Sequence, residues 1–220
     1  MKKIEKLIHA IEILKKYFEE SNDLETLNEL AKIKSKISNI SDKFDSENKL
    51  DLNLPKELQD KSKAFVIYSD GACRGNPGPG SFATIIYSLE KNELNEVYKG
   101  SGVQVLTTNN KMEMTGVLEG LKYLLNNYSL SIFKETPVYV YSDSKYVIEG
   151  MNSWILGWKK KDWKKSDGKT PENVLIWQEL DELKSQIQNI SFHWVKGHDG
   201  HIQNEMCDKL CNEALDLAGF

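Results

Sequence analysis

Four acids stand where a fold could gather them: Asp70 closes the run FVIYSD, Asp143 closes VYVYSD, Glu113 lies in KMEM at the head of a helical stretch, and Asp208 lies in EMCDKL. A strand that ends on an acid delivers its side chain to a sheet edge, and ligand sites in open α/β sheets gather at such strand ends. Carboxylates brought together repel one another unless a cation shares the site. Hard oxygen donors of this kind suit Mg²⁺ or Mn²⁺. Two such ions roughly 3.5–4 Å apart can activate a water and stabilise the leaving oxygen in phosphodiester cleavage. Taken singly each acid is unremarkable, because the chain has 33 Asp and Glu and an Asp at a strand end is more often a turn former or helix cap.

These acids need elements to carry them. The run AFVIYSD reads as a buried strand, SFATIIYSL as a second and ELNEVYKGSGVQV as a third. Then NNKMEMTGVLEGLKYLLNNY switches to helical period, with Met114, Val117, Leu118, Leu121 and Leu125 on one face. TPVYVYSDS is a further strand, followed by two helical stretches, the short strand ISFHWV and a last helix near 201–218. A meander of three strands followed by alternating helices and strands implies an α/β fold, a mixed sheet with helices on its faces.

The first 45 residues read differently. Ile4, Leu7, Ile8, Ile11, Leu14 and Phe18 form one apolar stripe, and Leu27, Leu30, Ile33, Ile37 and Ile40 a second, with Asn22 and Glu25 spaced as a capping box between them. The pattern predicts a helical hairpin over 1–45, available for self-association or a protein partner. Residues 46–63, polar and carrying Pro55, read as a linker, with a domain over 64–220.

Composition excludes several classes. No apolar run approaches the roughly 20 residues needed to cross a bilayer, so no membrane contact is expected. The charged N-terminus lacks a signal-peptide apolar core, and a cytoplasmic location is the expectation. Three cysteines without metal-ligand spacing argue against disulfides and zinc. With a net charge of −4, any nucleic-acid binding must come from a local patch. One exists: WILGWKKKDWKKSDGK places six lysines and three tryptophans among two aspartates between residues 154 and 169. Lysine neutralises phosphate and indole stacks on sugar or base.

From about Ala64 onward, YSDGACRGNPGPG, TTNNKMEM, VYSDSKYV, WILGWKKKDWKK and WVKGHDGHIQNEMCD stand in the order of the type I ribonucleases H, and the chain resembles that family. The resemblance implies a ribonuclease H-like five-stranded mixed sheet and an endonuclease that cuts the RNA strand of an RNA/DNA hybrid with two Mg²⁺ ions, Mn²⁺ being a possible substitute. It makes Asp70, Glu113, Asp143 and Asp208 the metal ligands and His198 a helper in proton transfer or product departure. It places Gly71, Asn76, Asn109 and Asn110 near the minor groove, where amides can read the 2′-hydroxyl, Thr108 on a DNA phosphate, and Trp158, Lys159, Lys160, Lys161 and Trp163 on the DNA strand. The first 60 residues, with 11 lysines against 13 acids and only Tyr17, Phe18 and Phe44 as aromatics, lack the character of a hybrid-binding module. The competing reading is a non-catalytic hybrid-binding module recruited through its N-terminal helices.

Overall fold

The computed structural model describes residues 11, 14, 18, 26, 27, 29–33, 36, 54–91, 93–197 and 201–220. Two compact units divide the chain, Met1–Asn53 and Leu54–Phe220. In the first, every described residue is helical; Ile11 is buried, Leu14 and Ile33 are exposed, and Lys32 pairs with Glu29 at 2.8 Å. The pairing of the expected hairpin lies outside the described residues.

The second unit is built on five strands: β1 (Lys63–Cys73), β2 (Gly78–Glu90), β3 (Glu93–Thr107), β4 (Val138–Ser142) and β5 (Ile190–Trp194), in the spatial order β3-β2-β1-β4-β5. The first three form an antiparallel meander, while β4 runs parallel to β1 and β5 parallel to β4. Helix α1 (Asn109–Asn127) connects β3 to β4. Between β4 and β5 come α2 (Lys145–Glu149), a π-helical turn (Gly150–Trp154), α3 (Ile155–Lys159) and α4 (Val174–Gln186), and α5 (Ile202–Leu217) closes the chain. This is the expected mixed sheet with helices on both faces.

β1 and β4 read as continuous apolar runs because both their faces are covered. Phe65, Ile67, Val138 and Val140 pack with α1, the π-helical turn and α4. Their neighbours Val66, Tyr68, Tyr139 and Tyr141 face the opposite layer, with Cys207 and Cys211 of α5. On α1 the buried stripe ends at Leu124, with Leu125 only packed against its edge.

Residues 54–62 were assigned to the linker by their polarity, yet they are structured: Lys56–Leu58 forms a 3₁₀ turn, Leu58 is fully buried among Ala64, Val66 and Tyr139, and Glu57 reaches the Tyr141 hydroxyl at 3.4 Å. Leu54 packs against the same cluster, but two leucines on either side of Pro55 in a polar stretch are too few to show a period. Emptying the Leu58 site removes both transfer energy and packing contacts. Leu58→Ala is therefore expected to destabilise the second unit by about 2–5 kcal/mol, measured by urea unfolding; a loss below about 0.5 kcal/mol, the level of a surface substitution, would show that the segment is not part of the core.

Candidate active site

The sheet forks at the site. β1 pairs with β4 only from Phe65 to Tyr68, then continues beside β2 to Cys73. Asp70 therefore does not end its strand, as the Gly and Pro that follow it imply; it sits where β4 has departed and β2 still pairs, opposite Ala83. Asp143 is the first residue after β4. The sheet thus opens between these two acids.

α1 brings the third. Thr108 caps the helix by accepting from the Lys111 amide at 3.4 Å, and Glu113 follows in the second turn. How closely α1 can lie on the sheet is set by glycine. A Cβ at Gly71 would stand 2.3 Å from the Glu113 backbone nitrogen, and one at Gly116 would stand 2.9 Å from the Ala83 carbonyl oxygen and 3.1 Å from that of Asp70. Both contacts are to backbone, which cannot swing aside as a side chain would. Gly71, expected near the minor groove, admits the helix that carries Glu113.

Carboxylate oxygens of Asp70, Glu113 and Asp143 consequently lie within 4.8 Å of one another. Asp70 is 7% exposed and takes the Gly71 amide at 2.7 Å. Glu113 accepts from Asn109 Nδ2 at 2.7 Å, and Asp143 from Asn204 Nδ2 at 3.1 Å. Burial, then the Asp143 charge, pushes Asp70 up to about 7. Burial, then Asp70 and Asp143, pushes Glu113 up to about 8. A site of hard oxygen donors, short of positive charge and close enough to share one ion, fits a divalent cation.

Asp208 is not a member of that three-acid group. It lies on α5, takes Asn212 Nδ2 at 3.0 Å, and adds a weaker charge effect at Asp70. Asn76 Oδ1 accepts from the Asn109 amide at 3.3 Å, tying the Gly-Pro loop to the head of α1, where Asn110 follows. The basic segment divides its roles. Trp158 and Trp163 pack against the main core and Lys159 pairs with Asp181 at 2.7 Å, while Lys160 and Lys161 are exposed. His198 lies outside the described residues. Two neighbours of Asp143 escaped sequence reasoning. Trp194 Nε1 donates to the Asp143 carbonyl at 2.9 Å, and Gly197 leaves so little room that a Cβ there would meet Asp143 Oδ2 at 2.6 Å. Asn204 also went unread, although it precedes Asp208 by four residues and so shares its helix face.

The raised proton affinities carry a pH dependence. Between about pH 4 and pH 8 the folded, cation-free site keeps protons that the unfolded chain, with ordinary carboxyls near 4, has released. Stability from this site is therefore present below pH 4 and falls as pH rises through that window. The melting temperature in EDTA should decline from pH 5 to pH 8 more in the parent protein than in Asp70→Asn, and Mg²⁺ should raise it more at pH 8 than at pH 5. An Mg²⁺ effect independent of pH would contradict the electrostatic account. Gly71→Ala should lower stability by about 1–3 kcal/mol, the usual cost of overpacking, and weaken Mg²⁺ binding measured by calorimetry, because α1 must retreat with Glu113; unchanged Mg²⁺ affinity would remove Gly71 from this role.

Comparison with known proteins places this geometry. The RNase H family model matches residues 62–216. Ribonuclease H of Rhodopirellula baltica is 44% identical over 151 residues, covering 67% of this chain and 88% of that protein. The Ribonuclease H of Cupriavidus necator is 42% identical over 154 residues, covering 70% and 97%. Among solved structures, LC9-RNase H1, described as a type 1 RNase H with the type 2 active-site motif, superposes with a TM-score of 0.59 at 26% identity over 70% of this chain and 72% of that one. With its sheet order, forked acidic centre and sequence all pointing the same way, the chain belongs to the ribonuclease H family.

Proposed function

We propose that the chain is a divalent-cation-dependent endonuclease that hydrolyses the RNA strand of RNA/DNA hybrids, leaving 3′-hydroxyl and 5′-phosphate ends. The observation that carries this reading is the meeting of Asp70, Glu113 and Asp143 within 4.8 Å at the fork of the sheet, in a chain of the ribonuclease H family. Asp70, Glu113 and Asp143 would hold the cation, with Asp208 supporting a second. When bound, a pair of Mg²⁺ ions supplies an activated water and charge stabilisation for the 3′ leaving oxygen, and Mn²⁺ can serve in their place.

The chain's own residues do the remainder. Asn109 steadies Glu113 through Nδ2, and Asn76 steadies the head of α1 through Oδ1. Those bonds leave Asn109 Oδ1 and Asn76 Nδ2, one acceptor and one donor, to meet a 2′-hydroxyl, which is both. Thr108 uses its hydroxyl oxygen as a cap acceptor, which leaves its O–H to donate to a phosphate. Lys160 and Lys161 would neutralise phosphates of the DNA strand, with Trp158 and Trp163 fixing the shape of the segment from beneath. His198, by its place in the family's motif, would help in proton transfer or product departure.

Digestion of labelled, matched RNA/DNA, RNA/RNA and DNA/DNA duplexes with Mg²⁺ and with Mn²⁺ tests the reading. Cutting confined to the RNA of the hybrid, and lowered at least about a hundredfold in Asp70→Asn as expected on losing a cation ligand, is the predicted outcome. Equal and negligible cutting by both proteins would instead support a hybrid-binding module.

A further inference from the structure

α5 brings to the site a buried amide that the carboxylates alone do not explain. Asn204 is 2% exposed, in the first turn of the helix, with Nδ2 donating to Asp143 Oδ2 at 3.1 Å. Chemistry fixes which way the amide faces. A carboxylate poised to ligate a cation accepts and does not donate, so the nitrogen meets Asp143 and the oxygen points elsewhere. That oxygen, Oδ1, is buried and meets no donor among the described residues. Buried acceptors without a donor are rare because nothing offsets their desolvation.

Helix capping does not account for the residue. His201 occupies the N-cap position, and the Asn204 backbone N–H already donates to the His201 carbonyl at 2.9 Å. Leucine, of the same branched shape though bulkier, would leave no orphaned acceptor, and aspartate would add charge to a centre already crowded with it. An amide donates to Asp143 through one atom and offers a neutral acceptor through another, which a shorter hydroxyl does with a single oxygen. Gly197 approaches the same Asp143 oxygen from the backbone side, so that oxygen is enclosed by a glycine and an asparagine. Mg²⁺ keeps several of its waters when bound, and each such water carries hydrogens that need acceptors.

We propose that Asn204 is a positioning residue of the cation site: Nδ2 fixes the Asp143 carboxylate, and Oδ1 accepts a hydrogen from a water hydrating the cation. The inference rests on the divalent-cation reading above and deepens it. It assigns to the start of α5 a supporting contact without which Asp143 is free to turn away.

Calorimetric titration of Mg²⁺ into the substrate-free full chain, with melting temperatures in EDTA, tests it on the parent protein, Asn204→Leu and Asn204→Ser. The leucine variant should bind Mg²⁺ roughly 10–100-fold more weakly, the usual cost of losing a partner that orients a ligand, while its melting temperature in EDTA stays within about 10 °C of the parent's, the range that overpacking one side chain costs. Its half-saturating Mg²⁺ for hydrolysis should rise in step, while KM for the hybrid at saturating Mg²⁺ stays within about twofold. The serine variant, which keeps a smaller donor and acceptor, should fall between the two and carries the test if the leucine variant does not fold. Parental Mg²⁺ affinity in both variants overturns the proposal. Absence of Mg²⁺ binding in the parent protein overturns it by a different route, because the cation reading itself then fails.

Discussion

Everything in the second unit is arranged around an electrostatic conflict: three carboxylates stand within 4.8 Å of one another in a largely buried pocket. Left to themselves they would separate or take up protons, and the raised affinities of Asp70 and Glu113 show the second response. What prevents separation is packing against rigid backbone. β1 cannot move Asp70 without breaking its ladder with β2, and α1 cannot retreat without losing the close seats at Gly71 and Gly116. Such a centre stores a demand for positive charge that a divalent ion meets.

The arrangement explains why the site sits where the sheet changes character. Antiparallel pairing on one side of β1 and parallel pairing on the other let the strand outlast β4, so the chain of β4 turns away just as its acid appears. Amides then settle the acids: Asn109 on Glu113 and Asn204 on Asp143, both from the first turns of helices. Neutral donors can orient these carboxylates without cancelling the charge a cation needs. A lysine in either place would compete with the metal.

Much of this was legible in the sequence, and the exceptions have physical causes. Strands β1 and β4 announced themselves because burial on both faces leaves an uninterrupted apolar run, and Asp70, Asp143 and Glu113 were readable because each broke such a run or headed a periodic helix. The end of β1 was misread at Asp70 because Gly and Pro ordinarily stop a strand, whereas here pairing with β2 carries it through to Cys73. The seat that Gly71 gives α1 left no sign, because sequence cannot say which backbone approaches a glycine. Leu58 gave no sign, since a single buried residue has no periodicity. The resemblance puts Trp158 and Trp163 on the DNA strand; in the fold both lean on the core that Trp177 anchors, a packing that interleaved lysine and indole do not announce, while Lys160 and Lys161 face outward.

The central claim is that these acids are held together for a cation. Anomalous diffraction from crystals of the protein soaked in Mn²⁺ addresses it without reference to substrate or turnover. The account predicts manganese peaks between Asp70, Glu113 and Asp143, lost on replacing Asp70 with Asn. Fully ordered carboxylates in those crystals with no manganese among them would contradict it.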